Sequence, residues 1–247
     1  MPVSACLAAV FVLTACAAEE SAAGGPGGAA PAAAAAASDP YAGKTPEEIQ
    51  TLAYEATRTA TFKKVRGQMS AEGRTGSLEL AFANVDCAGT VSGDGLGKTE
   101  VHSTPEVVYV KRDADTWRAV LNGTKAQEDA AVDRFAGRWV KLGAEREDAA
   151  AVSYGCSLMN PHVLQQERTP GLTRGAAATV DGQPALTLTY PGESGGTVTE
   201  YIAGQGRPYL LRRTETGQEA SDLTYFDFET VTQLRAPADS EVVLPEG

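Results

Sequence analysis

The sequence predicts an α+β domain over residues 45–247, with a large curved antiparallel β-sheet and helices on one side of it. Two observations predict this class. A helix signal opens the domain at Thr45, and segments with the period-two alternation of strands follow it. A second series of such segments begins near residue 185, after a stretch at 124–170 with helical patterns. The order helix, strands, helices, strands favours one sheet in one domain.

The opening helix has a clear start. Thr45 is placed as an N-cap, Pro46 falls at the first helical position, and Glu48 completes a capping-box pattern. We expect the helix to end near Ala60. Apolar residues recur along it at the spacing of a single helical face, at Ile49, Leu52, Ala53 and Ala56.

Strands are expected on both sides of the central stretch. Alternating segments at 64–69 and 78–83 come first, and short apolar runs at 107–110 and 117–121 flank Asp113-Ala114-Asp115, which predicts a hairpin turn. Gly-rich or polar turns separate the later strands, which are expected at 185–190, 198–203, 209–213 and 223–228.

The central stretch is expected to be mainly helical. Residues 130–136 suggest a short helix, 139–142 a strand, and 146–167 a helix that Pro161 should break. These helices would cover the face of the sheet that the opening helix also covers.

The first 44 residues predict an exported, lipid-anchored chain. A short apolar run at 7–13 suits the centre of a signal peptide over residues 1–15. It ends in Leu13-Thr14-Ala15-Cys16, which resembles a bacterial lipobox, so Cys16 is the expected lipid acceptor. Residues 16–44 would then be the lipidated cysteine and a disordered Ala/Gly/Pro-rich tether. The alternative is a hydrophobic N-terminus with a chance cysteine. Because residues 1–15 contain no Lys or Arg, we expect the true start to lie upstream.

Four cysteines occur in the chain, and two of them are expected to pair. Cys6 would leave with the signal peptide and Cys16 would carry lipid, which leaves Cys87 and Cys156 in an oxidising compartment. We predict a disulfide between these two. The alternative is a pair of separate buried thiols.

Composition and motifs argue against several functions. A formal net charge of -11 disfavours a nucleic-acid partner, because phosphate backbones require clustered Lys and Arg. The G-x-S-x-G pattern around Ser194 lies between two expected strands, and both histidines precede it, so a hydrolase is disfavoured. His102 and His162 are expected to be isolated surface or turn residues. No metal site, cofactor or catalytic group is predicted, and the protein is not expected to be an enzyme.

Several short segments resemble one family in their order and spacing. They are Val107-Val108-Tyr109-Val110-Lys111 before Asp115-Thr116-Trp117, then Gly137-Arg138-Trp139-Val140-Lys141-Leu142, and Leu223-Thr224-Tyr225-Phe226-Asp227-Phe228 before Ala236-Pro237. Over residues 45–247 this series is similar to the LppX/LprG-type actinobacterial lipoproteins, relatives of the carrier LolA. The resemblance implies a half-barrel of antiparallel strands wrapped over helices, with an apolar cavity that binds and shuttles acylated lipids. Cys87 and Cys156 are not part of the LolA pattern, which suggests a subfamily whose ligand, if any, need not be that of the family.

The strand alternation supplies candidate residues for the lining of such a cavity. The same alternation fits an ordinary packed core, so the two interpretations stay open. The candidates are Val65, Met69, Leu78, Leu80, Phe82, Val108, Val110, Leu186, Leu188 and Ile202.

Two functions from different classes follow. The first is a lipoprotein at the outer face of the cell membrane, anchored through Cys16, that binds or transfers an acyl lipid or glycolipid without covalent chemistry. The second is an interaction or sensor module of the cell envelope with a filled core and an exposed apolar patch. Either function could involve an envelope transporter or another membrane protein as a partner.

Overall fold

The computed structural model describes residues 39–94, 97–143, 147–159, 169–193, 195–230 and 233–245. The predicted leader, Cys16 and most of the predicted tether therefore lie outside the described residues. The helices are α1 (Pro46–Thr59), α2 (Ala114–Val120), α3 (Lys125–Phe135) and α4 (Glu147–Met159). The strands are β1 (Phe62–Ala71), β2 (Arg74–Ala83), β3 (Asp86–Gly93), β4 (Gly97–Ser103), β5 (Val108–Arg112), β6 (Trp139–Leu142), β7 (Thr173–Val180), β8 (Gln183–Pro191), β9 (Thr197–Ala203), β10 (Leu210–Glu215), β11 (Ser221–Phe226) and β12 (Val242–Val243).

All twelve strands form one sheet in the order β12-β6-β5-β4-β3-β2-β1-β11-β10-β9-β8-β7. The described neighbours pair antiparallel except β12, which runs parallel to β6. Strands β1 and β11 join the two halves of the sheet, with Val65 opposite Tyr225. The two ends of the order, β12 and β7, are not paired with each other, so the described sheet is open. The α+β fold class predicted from the sequence is confirmed.

The helices cover one face of the sheet, here called the inner face. Buried residues of all four helices share a single apolar cluster with alternate residues of the strands. Helix α1 begins as predicted, with both hydrogen bonds of the capping box between Thr45 and Glu48. The opposite face, here called the outer face, carries a smaller cluster around Val180 and Leu211.

Two glycines allow the strands to approach closely in the middle of the sheet. A Cβ added to Gly67 of β1 would lie 1.9 Å from the carbonyl oxygen of Asp222, and one added to Gly89 of β3 would lie 2.1 Å from that of Glu79. Gly89 also has a φ of 151°, which other residues rarely adopt. Only glycine fits at these two positions without a shift of the neighbouring strand.

The predicted hairpin around 113–115 is wrong. Residues 114–120 form α2, because the Asp113 carboxylate accepts a hydrogen bond from the Thr116 backbone N–H at 2.7 Å and caps a helix. Trp117, which was predicted to lie in a strand, is instead buried on α2 and contacts Phe135 of α3. The aspartate that suggested a turn is therefore the helix cap.

The other central elements agree with the prediction. Helix α3 contains the expected segment at 130–136 except its last residue and begins earlier, at Lys125. Strand β6 matches the predicted strand at 139–142. Helix α4 lies within the predicted helix at 146–167, while Pro161 lies outside the described residues.

The predicted disulfide is present. It joins Cys87 of β3 to Cys156 of α4, with their Cα atoms 6.0 Å apart and a sequence separation of 69. Both cysteines are buried in the inner cluster. The bond fixes α4 over the half of the sheet that contains β3, β4 and β5.

The end of the chain crosses the outer face. Residues 233–243, here called the C-terminal strap, line a cavity together with residues of β3 and β4. The strap ends in β12, where Val242 lies opposite Trp139 of β6. Beyond it, Arg134 of α3 donates a hydrogen bond to the Leu244 carbonyl oxygen at 2.9 Å.

Candidate functional site

The inner face brings together the residues predicted from strand alternation. Nine of the ten are buried in one continuous cluster against the helices, and Met69 is partly buried at its margin. The cluster extends from β6 at one side of the sheet to β8 near the other. An apolar surface shared by a sheet and its covering helices is the kind of interior that can hold an acyl chain. Their role in lining a cavity stays a prediction.

A buried carboxylate lies under α1 at one end of this interior. Glu200 of β9 has no exposed surface, and its inner-face neighbours on the same strand are Val198 and Ile202. From α1, the Gln50 side-chain amide donates to it at 3.0 Å, and the Tyr54 hydroxyl donates to the same carboxylate. From β8, the Tyr190 hydroxyl donates to it at 3.0 Å.

Three donors therefore satisfy the Glu200 carboxylate, as a buried charge requires. Burial, followed by the nearby Glu200 charge, raises the pKa of Tyr54 above its usual value. The same two causes raise the pKa of Tyr190 to about 12. Both hydroxyls consequently keep their protons at neutral pH and remain donors. The cluster binds α1 to strands β8 and β9.

Arg213 of β10 extends this cluster toward the chain turn at 192–196. Burial lowers the pKa of its guanidinium, but Tyr190, Glu215 and Glu200 together raise it above the usual value. Its Nη2 donates to Glu215 at 3.1 Å. Burial also raises the pKa of the nearby Tyr225 hydroxyl to about 12. The cluster thus contains one cation and two carboxylates beside an apolar surface.

Sequence reasoning missed this polar cluster although one signal was available. Glu200 lies two residues before Ile202, so both side chains lie on the same face of the strand, and Ile202 was predicted to face inward. A charged residue at an inward position requires partners on the facing element, and Gln50 and Tyr54 lie one turn apart on α1. The amphipathic pattern of α1 was analysed through its apolar residues alone.

Gly192 and Gly196 close a turn between β8 and β9, as expected for the G-x-S-x-G segment, while Ser194 itself lies outside the described residues. In the described part of the chain, no group of three or more His, Cys, Asp and Glu residues could hold a metal ion. No helix among the described residues is long and apolar enough to cross a membrane.

Comparisons with known proteins agree at the level of the fold. No protein-family model matches the chain, and no curated protein matches its sequence. The lipoprotein LppX of Mycobacterium tuberculosis superposes with a TM-score of 0.52 at 15% identity, over 77% of this chain and 98% of LppX. The fold is similar to that of LppX, as the sequence resemblance predicted.

Two further solved structures are more distant. LprF from Mycobacterium bovis gives a TM-score of 0.49 at 15% identity, over 78% of this chain and 97% of LprF. A LolA superfamily protein from Nitrosomonas europaea gives 0.27 at 11% identity, over 79% of this chain and 96% of that protein. At 15% identity, the similarity to LppX concerns the fold and not the ligand.

Proposed function

We propose that this protein is an exported lipoprotein whose domain binds or transfers an acylated lipid between the sheet and its helices. The observation that carries the proposal is the continuous apolar inner face, which nine buried residues from both halves of the sheet form beneath the helices. Burial of an acyl chain there would contribute about 0.8 kcal/mol per methylene group. No covalent step is needed.

The anchor follows from the lipobox-like segment before Cys16. Acylation of Cys16 would hold the domain at the outer face of the cell membrane, because two acyl chains give durable attachment. A glycolipid is an alternative to a simple acyl lipid. A membrane transporter could supply or receive the ligand.

The Glu200 cluster would serve this function as a positioning element. Its hydrogen bonds attach α1 to β8 and β9 without filling the interior with apolar side chains. Thr169 adds a further hydrogen bond, from its hydroxyl to the Gln50 side-chain oxygen at 2.9 Å. In this proposal, α1 is a fixed wall of the lipid site.

Native mass spectrometry of the full chain with Cys16→Ser, purified from a lipid-rich host, tests the proposal. We expect a native mass that exceeds the denatured mass by one acyl lipid, which organic solvent removes. Met69→Trp should lower the lipid-bound fraction, because Met69 lies at the margin of the inner cluster. Gln68→Trp is the matched control, since Gln68 is exposed on the outer face of the same strand.

A clean mass without lipid, unchanged after incubation with the host lipid extract, would contradict lipid binding. Equal lipid occupancy in the Met69 and Gln68 variants would contradict the inner face as the site. The first outcome would favour the second candidate, an interaction module of the cell envelope. One feature supports that candidate: a groove of about 440 Å³ on the outer face, lined in part by Leu211, Tyr209 and Phe228.

A further inference from the structure

His102 lies in an unusual position for a polar side chain. It follows the inward-facing Val101 on β4, so its ring points to the outer face, yet only 4% of it is exposed. The expectation that it is a surface or turn residue is wrong. The C-terminal strap covers it. Neither ring nitrogen has a hydrogen-bond partner of good geometry among the described residues.

The strap that covers His102 buries little of its own surface. Most of its residues are exposed, and the half-buried ones include Leu234 and Pro237. A cavity of about 420 Å³ opens on one side, lined in part by Trp139 and Pro237, and another of about 440 Å³ opens near Leu234 and Asp86. A segment with few buried apolar contacts opens at low free energy.

Charged groups approach His102 from several elements. Asp86 at the start of β3 favours the charged ring, as does the Leu234 backbone, but burial outweighs both and lowers the pKa of His102. On the same face, Glu100 of β4 is paired with Lys111 of β5 at 3.6 Å. The strap contributes Arg235 and Glu241 to the cavity beside His102, and the Tyr109 ring of β5 lies 6.0 Å from the imidazole ring.

We propose that the C-terminal strap is an acid-sensitive cover, which protonation of His102 releases from the outer face. Release would remove β12 from β6 and leave the backbone edge of β6 available for another strand. It would also uncover Trp139 and the cavity that it lines. The proposal concerns the outer face and is independent of lipid binding at the inner face.

The direction of the pH effect follows from proton linkage. In the open state His102 titrates at its ordinary value, near 6.5, whereas in the closed state it takes up a proton only at lower pH. Above about pH 6.5 both states are neutral and the strap stays closed. Below this pH the open state binds more protons, so closure weakens as the pH falls. At about pH 5 the opening equilibrium can rise by at most about 30-fold.

Hydrogen–deuterium exchange of the full chain, measured by mass spectrometry at about pH 7.5 and about pH 5, tests the proposal. After correction for intrinsic exchange rates, we expect protection to fall in peptides covering residues 233–245 and 139–142 at acid pH. Peptides from β1 and β2 should keep their protection. His102→Phe should abolish the pH dependence, because it keeps an aromatic ring in place without a titrating group.

His162→Gln is the matched control, because it removes the other histidine of the chain and should leave the pH dependence intact. If His102→Phe fails to fold, as judged by circular dichroism, His102→Gln replaces it and should likewise abolish the dependence. The proposal is overturned if the strap is equally protected at both pH values. It is also overturned if a folded His102 variant keeps the wild-type response, or if His162→Gln loses it.

Discussion

Lys63 shows how a single buried residue ends α1. Its side chain has no exposed surface, and its Nζ donates to the carbonyl oxygens of Thr57 and Ala60 at 3.3 and 3.1 Å. These carbonyls belong to the last turn and the cap of α1, where a helix leaves acceptors unsatisfied. Burial lowers the pKa of Lys63 to about 8, against the opposing effect of Glu229.

This low pKa predicts a pH-dependent contribution to stability. Between about pH 8 and 10.5 the unfolded chain keeps the proton that the folded chain loses, so stability rises with pH. Relative to Lys63→Met, the wild-type free energy of unfolding should rise by about 3 kcal/mol across this window. Urea unfolding at several pH values measures it. Lys64→Met, at a half-exposed neighbour paired with Asp227, retains Lys63 and should keep the wild-type slope. A Lys63→Met difference that does not change with pH would contradict the assignment.

Buried polar residues were the main failure of prediction at this scale. Lys63, His102 and Glu200 are at most 4% exposed, yet their residue types normally lie at the surface. The periodicity of a strand identifies its inward positions but not which polar residues find partners there. The partners of Lys63 belong to α1 and its cap, and those of Glu200 to α1 and β8, while the cover of His102 comes from the C-terminal strap. Such contacts exist only in the folded chain.

Close strand approach in the middle of the sheet sets a strict requirement on β1. Gly67→Ala would place its Cβ against the backbone of Asp222, and an overpacked site of this kind costs about 1–3 kcal/mol. Thermal or urea unfolding should show that loss. Gly155→Ala in α4 is the control, because no heavy atom lies within 4 Å of its added Cβ. We expect Gly155→Ala to be neutral or to stabilise by up to about 1 kcal/mol. Equal stabilities of the two variants would argue against the close approach.

Elements were predictable where apolar periodicity was strong. The capping box of α1 and the alternation of β2 and β8 identified those elements. Strands β3, β4 and β7 were missed. The sequences DCAGTVSG of β3 and TRGAAATV of β7 contain mostly small residues with little alternation. Both strands are held by their neighbours in the sheet rather than by local preference. The segment that forms α2 was predicted as part of a hairpin. Its short apolar run suggested a strand, whereas the cap formed by Asp113 makes it a helix.

At the scale of the whole molecule, the Cys87–Cys156 bond constrains the unfolded chain. For a sequence separation of 69, the chain-entropy relation predicts about 4 kcal/mol of stabilisation. The double variant Cys87→Ala, Cys156→Ala should therefore lose about that much free energy of unfolding, measured in urea. Adding a reductant to the unfolded wild type should give a similar loss, and the double variant should be insensitive to it. A double variant as stable as the wild type would contradict this contribution.

The fold class and the inner-face residues could be predicted because the resemblance and the alternation agreed. Whether the inner face encloses a cavity could not, because a packed core and a lipid site require the same apolar pattern. The apolar residues of the candidate site could therefore be predicted from the sequence. The polar end around Glu200 could not, because it depends on how α1 packs against the sheet.

The pairing of β1 with β11 has a consequence for how the chain is completed during synthesis. The first strand of the domain finds one of its two partners only when residues 221–226 have been made. Until then β1–β6 and β7–β10 are two separate arms, and the central seam of the sheet has an unpaired edge on each side. Pairing between such distant segments is slow, because the loop must close before any contact forms. Because the central strands pair last, the two arms stay separate until β11 has been synthesised.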